Sequence, residues 1–168
     1  MRAKEVHAIL NRELGPSMRA MGFQRTGSAT ATWRQPVDPD GTDRRYLFVS
    51  THVGMTGFDE QFGNWFVLEF WLGSTPNLSG PLISSVARYS EFLSPEDKRR
   101  LLELANQARV VIPGNRPHPA WVSDDLPYYH AAHVTAYAQA LRDILPGIIT
   151  VFALTRQFPP PPEVTDAL

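Results

Sequence analysis

The sequence predicts one α+β domain, residues 1–157, built on an antiparallel sheet of three to five strands with helices on at least one face. Three observations lead to this class. The run from Gly63 to Gly73 is aromatic and aliphatic, as in a buried strand. Segments 29–35 and 45–53 favour extended structure and flank a Pro-Asp-Gly turn, which predicts a hairpin. Apolar residues recur at helical spacing elsewhere.

Composition narrows the classes of function. The 168 residues carry 16 basic and 17 acidic side chains, for a net charge of −1, so no net attraction draws the chain to nucleic acid or anionic lipid. Cysteine is absent, which excludes disulfides and thiolate chemistry. No apolar run reaches the roughly 18 residues that span a bilayer. We expect a cytoplasmic protein with neither membrane nor nucleic-acid partners, and no cofactor.

An amphipathic helix is predicted over residues 4–21, because its apolar residues form one stripe. Gly15 and Pro16 interrupt the stripe and predict a kink or a restart, since proline lacks a backbone donor and clashes with the preceding turn. Gly22 is expected in the left-handed conformation that ends helices, with Phe23 packing back on the helix.

Alternation assigns the strand residues to two faces. The first face is apolar and is predicted to lie under the helices. It consists of Leu47, Val49, Thr51, Val53, Phe66, Leu68, Phe70 and Leu72.

The second face carries the predicted binding residues, because aromatic anchors there surround a single carboxylate. They are Tyr46, Phe48, His52, Trp65, Glu69 and Trp71. An unpaired glutamate in a dry sheet is costly. We therefore expect that this face is open to solvent or a partner, or that Glu69 pairs with His52 or an arginine. The alternative is that C-terminal helices cover this face as a second core.

The second half of the chain is predicted to be largely helical. Residues 82–92 have helix-compatible spacing, with a fourth strand as the alternative. Ser94 and Pro95, followed by two acidic residues, are typical of a helix start. Residues 110–112 could form a short strand. A last helix is expected from Asp124 to about Leu145, broken by Pro146, and residues 158–168 form a proline-rich extended tail.

His130 and His133 are the candidate metal ligands. Three positions apart on a helix they share one face, where two imidazoles and a carboxylate could hold a catalytic metal. The zincin motif needs a glutamate between its histidines, and this chain has two alanines there. Structural or surface histidines are the other interpretation, and no catalytic residue is predicted.

The first 75 residues resemble a known family. The motifs are Leu10-x-x-x-Leu14-Gly15-Pro16, the helix exit Met21-Gly22-Phe23, and the strand Thr32-Trp33-Arg34 before an apolar hairpin. They are similar to the bacterial domain of unknown function numbered four-three-zero-four. The resemblance implies an α+β domain with an antiparallel sheet and transfers no catalytic residue. Small bacterial domains of this kind include immunity proteins that neutralise toxins.

Two functions follow as hypotheses. The first is a non-enzymatic bacterial binding protein, toxin-neutralising in one version, that uses the aromatic residues of the second face to hold a protein partner. The second is a small-molecule or metal-dependent hydrolase centred on His130 and His133.

Overall fold

The fold was analysed in a computed structural model that describes residues 1–27, 29–40, 44–54, 63–77, 83–109 and 125–155, with backbone alone for 83–86 and 152–155. It confirms the predicted α+β class: helices pack on an antiparallel sheet within one domain. The elements are α1 (Ala3–Ala20), β1 (Gln24–Arg25), β2 (Thr32–Pro36), β3 (Tyr46–Val53), β4 (Asn64–Gly73), β5 (Ile83–Arg88), a 3-10 turn (Tyr89–Phe92), α2 (Pro95–Arg109), β6 (Leu126–Tyr128) and α3 (Ala131–Thr155).

The sheet follows the chain from β1 to β5, and each neighbouring pair is antiparallel. The short strand β6 pairs with the start of β4. The register of β3 and β4 places Val49 opposite Phe70 and Leu47 opposite Leu72. Directly paired residues point to the same side of a sheet. The register therefore confirms the predicted division of the strand residues into two faces.

Helix α1 packs on the apolar face. His7 is buried on this helix, and its Nδ1 lies 3.1 Å from Thr51 Oγ1, a side chain of that face. The backbone N–H of Ala31 donates to the same nitrogen at 3.2 Å, and the Thr51 hydroxyl donates to the Ala31 carbonyl at 2.8 Å. His7 therefore ties α1 to the start of β2 and to β3 at once.

The helix does not restart at Gly15 and Pro16, because α1 continues through Pro16 to Ala20. Leu14 and Met18, on either side of the proline, are both fully buried. Burial of that stripe offsets the loss of one backbone hydrogen bond. The exit from the helix is as expected: Gly22 has φ +87° and the Phe23 N–H donates to the Met18 carbonyl at 2.9 Å.

Helix α3 packs on the same face of the sheet as α1. The Tyr137 ring meets Phe66 of β4 edge-on, with ring centroids 5.9 Å apart. Phe92, from the 3-10 turn, meets Phe70 in the same way at 5.5 Å. Helix α2 contacts α3 and β6. We call this side of the sheet the helix-covered face; it consists of Leu47, Val49, Thr51, Val53, Phe66, Leu68, Phe70 and Leu72.

Residues 83–88 form strand β5, so the alternative prediction of a strand is correct and the helix suggested by the spacing is not formed. Helical spacing in so short a segment does not separate the two structures, and pairing with β4 decides between them. The predicted start of α2 is confirmed, since Ser94 Oγ accepts the Asp97 backbone N–H at 3.1 Å. Residues 110–112 and 158–168 lie outside the described residues.

The predicted start of the last helix at Asp124 is wrong. Residues 126–128 form β6, in which Leu126 and Tyr128 are fully buried, and the helix begins at Ala131. The local sequence of this segment favours a helix, but its pairing with β4 makes it a strand. The predicted break at Pro146 is also wrong, because α3 continues to Thr155 with Leu145 and Ile148 both buried.

Candidate functional site

The opposite side of the sheet carries the predicted binding residues. Cross-strand register places Phe48 beside Trp71, Ser50 beside Glu69, and His52 beside Val67. The same register adds Arg34 of β2, paired with Phe48, and Arg88 of β5, paired with Glu69. We call this side the aromatic face; it consists of Arg34, Tyr46, Phe48, Ser50, His52, Trp65, Val67, Glu69, Trp71 and Arg88.

Glu69 lies at the centre of the aromatic face between two nitrogen-bearing side chains. Its Oε2 is 3.2 Å from His52 Nε2, and its Oε1 is 4.0 Å from Arg88 Nε. The Glu69 side chain is 16% exposed, whereas His52 and Arg88 are nearly half exposed. A mostly buried carboxylate needs such partners. The prediction that Glu69 pairs with His52 or an arginine is confirmed in both respects.

His52 also contacts Trp71, and the two rings form the middle of the face. Their centroids are 5.9 Å apart and their planes are inclined by 31°. Ser50, which lies between Phe48 and His52 on the same side of β3, is buried and small. The Trp71 indole is half-buried, and its Nε1 has no hydrogen-bond acceptor among the described residues. The contact with His52 restrains the ring of Trp71.

Trp65 is the most exposed phenylalanine, tyrosine or tryptophan in the described part of the chain, at 37%. Its backbone N–H donates to Asn64 Oδ1 at 2.8 Å, and Asn64 Nδ2 donates to the Gly54 carbonyl at 3.1 Å. A β-carbon on Gly54 would lie 2.2 Å from Asn64 Oδ1 and 3.0 Å from Trp65 Nε1. Gly54 is therefore required for Trp65 and Asn64 to approach the end of β3 this closely.

Phe48 and Tyr46 occupy the other end of the face. Phe48 has no exposed surface, so in this arrangement it supports Trp71 from the neighbouring strand and presents nothing to a partner. Tyr46 is half-buried, and the Arg34 guanidinium carbon lies 6.0 Å from its ring centroid. Arg34 also donates to the Pro76 carbonyl. Five of the six predicted binding residues thus retain exposed surface on one face.

His130 and His133 lie at the start of α3, with ring centroids 5.4 Å apart. His130 precedes the helix, and its carbonyl accepts the His133 backbone N–H. The Tyr129 backbone N–H donates to His133 Nδ1 at 3.1 Å. A backbone amide is always a donor, so neutral His133 keeps its proton on Nε2. Neither ring nitrogen then offers a free lone pair to a metal.

Two further observations bear on a metal site. Burial, assisted by the nearby His130, lowers the pKa of His133. In the part of the chain that the structure describes, no group of three histidine, aspartate or glutamate side chains converges to hold a metal. Asp124, which could supply a carboxylate, lies outside the described residues. The metal site on His130 and His133 stays a prediction, without a third ligand in the described residues.

Sequence reasoning did not name Arg34 and Arg88 as part of the face. Successive side chains in β2 point to opposite sides, so Arg34 points away from the side on which Trp33 is buried. The sequence alternation alone could have predicted this. The place of Arg88 on this face could not be predicted, because residues 82–92 have helical spacing and a helix has no cross-strand register. His7 was also missed, because a histidine within an apolar stripe gives no indication of a distant partner.

Comparison of the chain with protein-family models, with curated proteins and with solved structures finds no match. The resemblance of the N-terminal half to a bacterial domain family therefore stays a prediction. Among the described helices, none combines the length and the apolar character that crossing a membrane requires.

Proposed function

We propose that this chain is a non-enzymatic binding protein whose aromatic face holds a protein partner. The observation that carries the proposal is the exposure of Trp65 on the sheet side opposite α1 and α3. A large aromatic ring in contact with water gains free energy when a partner covers it. Tryptophan is also among the residues that dominate binding free energy in protein interfaces.

The polar side chains of the face fit recognition better than catalysis. Glu69 is held between His52 and Arg88, and the contact of His52 with Trp71 restrains the imidazole further. Preorganised side chains lose little conformational entropy on binding. The competing hydrolase function requires His133 to ligate a metal, and the hydrogen bond from Tyr129 to its Nδ1 opposes that role.

The charges of the face favour a partner with apolar and acidic groups. Arg34 and Arg88 carry two positive charges there, and Glu69 carries the one negative charge. Complementary charge adds specificity and speeds association. An acidic toxin that is neutralised by binding is one partner of this chemistry, and the resemblance of the first 75 residues favours a binding function.

The test compares two exposed apolar side chains on different parts of the molecule. Trp65 on the aromatic face is 37% exposed, and Val151 on α3 is 48% exposed. Partners are captured from a lysate of the source cell with wild type, Trp65→Ala and Val151→Ala. We expect Trp65→Ala to lose at least tenfold in affinity for the captured protein, because hot-spot aromatics contribute about 2 kcal/mol or more.

Val151→Ala is the matched control and should bind as wild type does. Urea unfolding of both variants checks that the sheet is intact, since an exposed substitution changes stability by only about 0.5 kcal/mol. Equal capture by Trp65→Ala and wild type would show that the partner does not use this face.

A further inference from the structure

The end of α1 and the edge strand β1 border an open cavity on the α1 side of the sheet. Its volume is about 490 Å³, which is typical of small-molecule sites in proteins. Arg25 of β1 is the cross-strand partner of Trp33, and Trp33 is the partner of Val49, so all three point to that side. The cavity is lined by Arg19, Gly22, Phe23, Gln24, Arg25 and Trp33.

The base of this cavity is apolar and belongs to the core. Phe23 and Trp33 lie there, and they are 2% and 1% exposed. Gly22, with φ +87°, turns the chain out of α1, and the Phe23 N–H donates to the Met18 carbonyl. Core packing and this turn therefore hold the base in place before any ligand binds.

The rim of the cavity is positively charged. Arg19 lies in the last turn of α1 and Arg25 on β1, and both side chains are exposed. None of the described residues that line the cavity is acidic, although the chain as a whole has a net charge of −1. Two like charges at one cavity repel each other, so an anion bound between them is favoured.

The guanidinium of Arg19 has donors available for such an anion. Its side chain makes no ion pair and no hydrogen bond with the described residues. The Ser17, Met18 and Arg19 carbonyls, which end α1, already accept backbone N–H groups. The end of the helix therefore does not depend on the Arg19 side chain for its hydrogen bonds.

The two arginines and the apolar base define the class of ligand. The planar fork of a guanidinium binds carboxylate and phosphate oxygens through two parallel hydrogen bonds. A phosphate monoester carries about −1.5 to −2 charges at pH 7, which matches two arginines, whereas a carboxylate carries only one. An apolar ring attached to the phosphate would cover the base of the cavity and gain free energy by leaving water.

We propose that this cavity binds a small phosphate monoester whose organic part is a ring. The phosphate lies between Arg19 and Arg25, and the ring lies over Phe23 and Trp33. Trp65 of the aromatic face lies on the opposite side of the sheet from this cavity. The inference therefore goes beyond the proposed function and does not depend on it.

The experiment titrates the full chain, labelled with nitrogen-15, with phenyl phosphate. The readouts are the backbone amide resonances of residues 22–25 and the indole N–H of Trp33, which is assigned with Trp33→Phe. We expect these resonances to shift and to saturate with a Kd of about 1 mM or below. Shifts that remain linear up to about 10 mM phenyl phosphate would overturn the inference.

Two further probes separate the parts of the ligand. Inorganic phosphate lacks the ring, and benzoate has the ring but a single charge. Each should bind at least about tenfold more weakly than phenyl phosphate. Inorganic phosphate that binds as tightly as phenyl phosphate would show an adventitious ion only. Equal binding of benzoate would assign the cavity to carboxylates and overturn the phosphate class.

Arginine variants locate the bound phosphate. Arg19→Gln and Arg25→Gln should each weaken the binding of phenyl phosphate at least about tenfold, because each removes charge-assisted hydrogen bonds. Arg12→Gln is the matched control: Arg12 is an exposed arginine of α1 that pairs with Glu13 and does not line the cavity. Its affinity should equal that of wild type. Unchanged affinity in Arg19→Gln, or an equal loss in Arg12→Gln, would contradict the inference.

Urea unfolding of the variants should give the wild-type midpoint, because the substituted side chains are exposed. Trp65→Ala should bind phenyl phosphate as wild type does, and Arg19→Gln should capture the protein partner as wild type does. The two proposals therefore fail separately. Loss of phenyl phosphate binding in Trp65→Ala would place the ligand on the aromatic face and overturn the cavity site.

Discussion

The two faces of the sheet are formed by the same strands but differ in how far their side chains are buried. On the helix-covered face, Leu68, Phe66 and Phe70 have no exposed surface, and α1 and α3 close over them. On the aromatic face, Trp65, His52 and Arg88 remain in contact with water, and the one carboxylate is held by side-chain pairs. The first face is held by burial throughout, whereas the exposed part of the second is held by specific polar and ring contacts.

This difference predicts different responses to substitution. The free energy gained by burial is proportional to the apolar area removed from water, and a buried charge without a partner is costly. Substitutions on the helix-covered face should therefore act on folding. Contacts at a half-exposed surface contribute little to folding because water replaces them readily. Substitutions of the exposed side chains of the aromatic face, such as Trp65, should act on binding and leave the free energy of unfolding nearly unchanged.

The largest effect is expected when a charge enters the helix-covered face. Leu68→Asp loses about 1.5–3 kcal/mol of burial and adds the desolvation of a carboxylate, which together exceed what a domain stable by about 5–15 kcal/mol withstands. We expect no cooperative urea transition and no near-ultraviolet circular dichroism. Trp65→Asp, on the exposed side of the same strand, is the control and should still unfold cooperatively. A folded Leu68→Asp protein would show that the two faces are assigned the wrong way round.

A smaller effect concerns pH, through the histidine that joins α1 to the sheet. Burial, with a smaller contribution from His52, lowers the pKa of His7, and burial also lowers that of His133. In the unfolded chain both groups titrate near about 6.5, so below that pH the unfolded state binds more protons. Stability is therefore complete above about pH 6.5 and decreases as the pH falls through the folded-state pKa values. One such group contributes at most about 1.4 kcal/mol per pH unit.

His7→Asn isolates the contribution of His7. The asparagine Oδ1 can accept the Ala31 N–H in place of Nδ1, and it does not titrate. Urea unfolding between pH 5 and 7.5 should give a shallower decrease in stability for His7→Asn than for wild type. The same slope in both proteins would mean that His7 is protonated equally in the folded and unfolded states.

The smallest effect is expected at Tyr137 of α3, whose ring packs against Phe66 of the helix-covered face. The Tyr137 hydroxyl is buried, has no hydrogen-bond partner among the described residues, and its burial raises the pKa of the phenol. Tyr137→Phe keeps the ring against Phe66 and should raise the free energy of unfolding by about 1 kcal/mol. Tyr137→Ala is the control and should cost about 3–5 kcal/mol. A destabilised Tyr137→Phe would reveal a partner of the hydroxyl.

Much of the fold could be predicted from local pattern. Alternation in β3 and β4 was enough to place Val49 with Phe70 and His52 with Glu69 on opposite sides, because successive side chains in a strand point in opposite directions. Gly22 and Ser94 marked a helix end and a helix start through backbone chemistry that acts within four residues.

For the candidate site, the sequence predicted which residues share a face, but it did not predict how exposed each of them is. Periodicity made Phe48 and Trp65 equivalent, yet the first is fully buried and the second is 37% exposed. Exposure depends on which other elements cover a side chain, and those elements lie far away in the sequence. The packing of α1 and α3 on the helix-covered face is such a fact.

What the sequence determined by itself was the fold class, the two faces of the hairpin and the chemistry that each face carries. The tertiary structure alone decided that residues 83–88 and 126–128 are strands and that α3 passes Pro146. It also decided that His7 joins three elements. The physical reason is the same in each case. Local preferences amount to about 1 kcal/mol for most residues and about 3 kcal/mol for proline. Burial of Leu126 exceeds the first value, and burial of Leu145 and Ile148 together offsets the second.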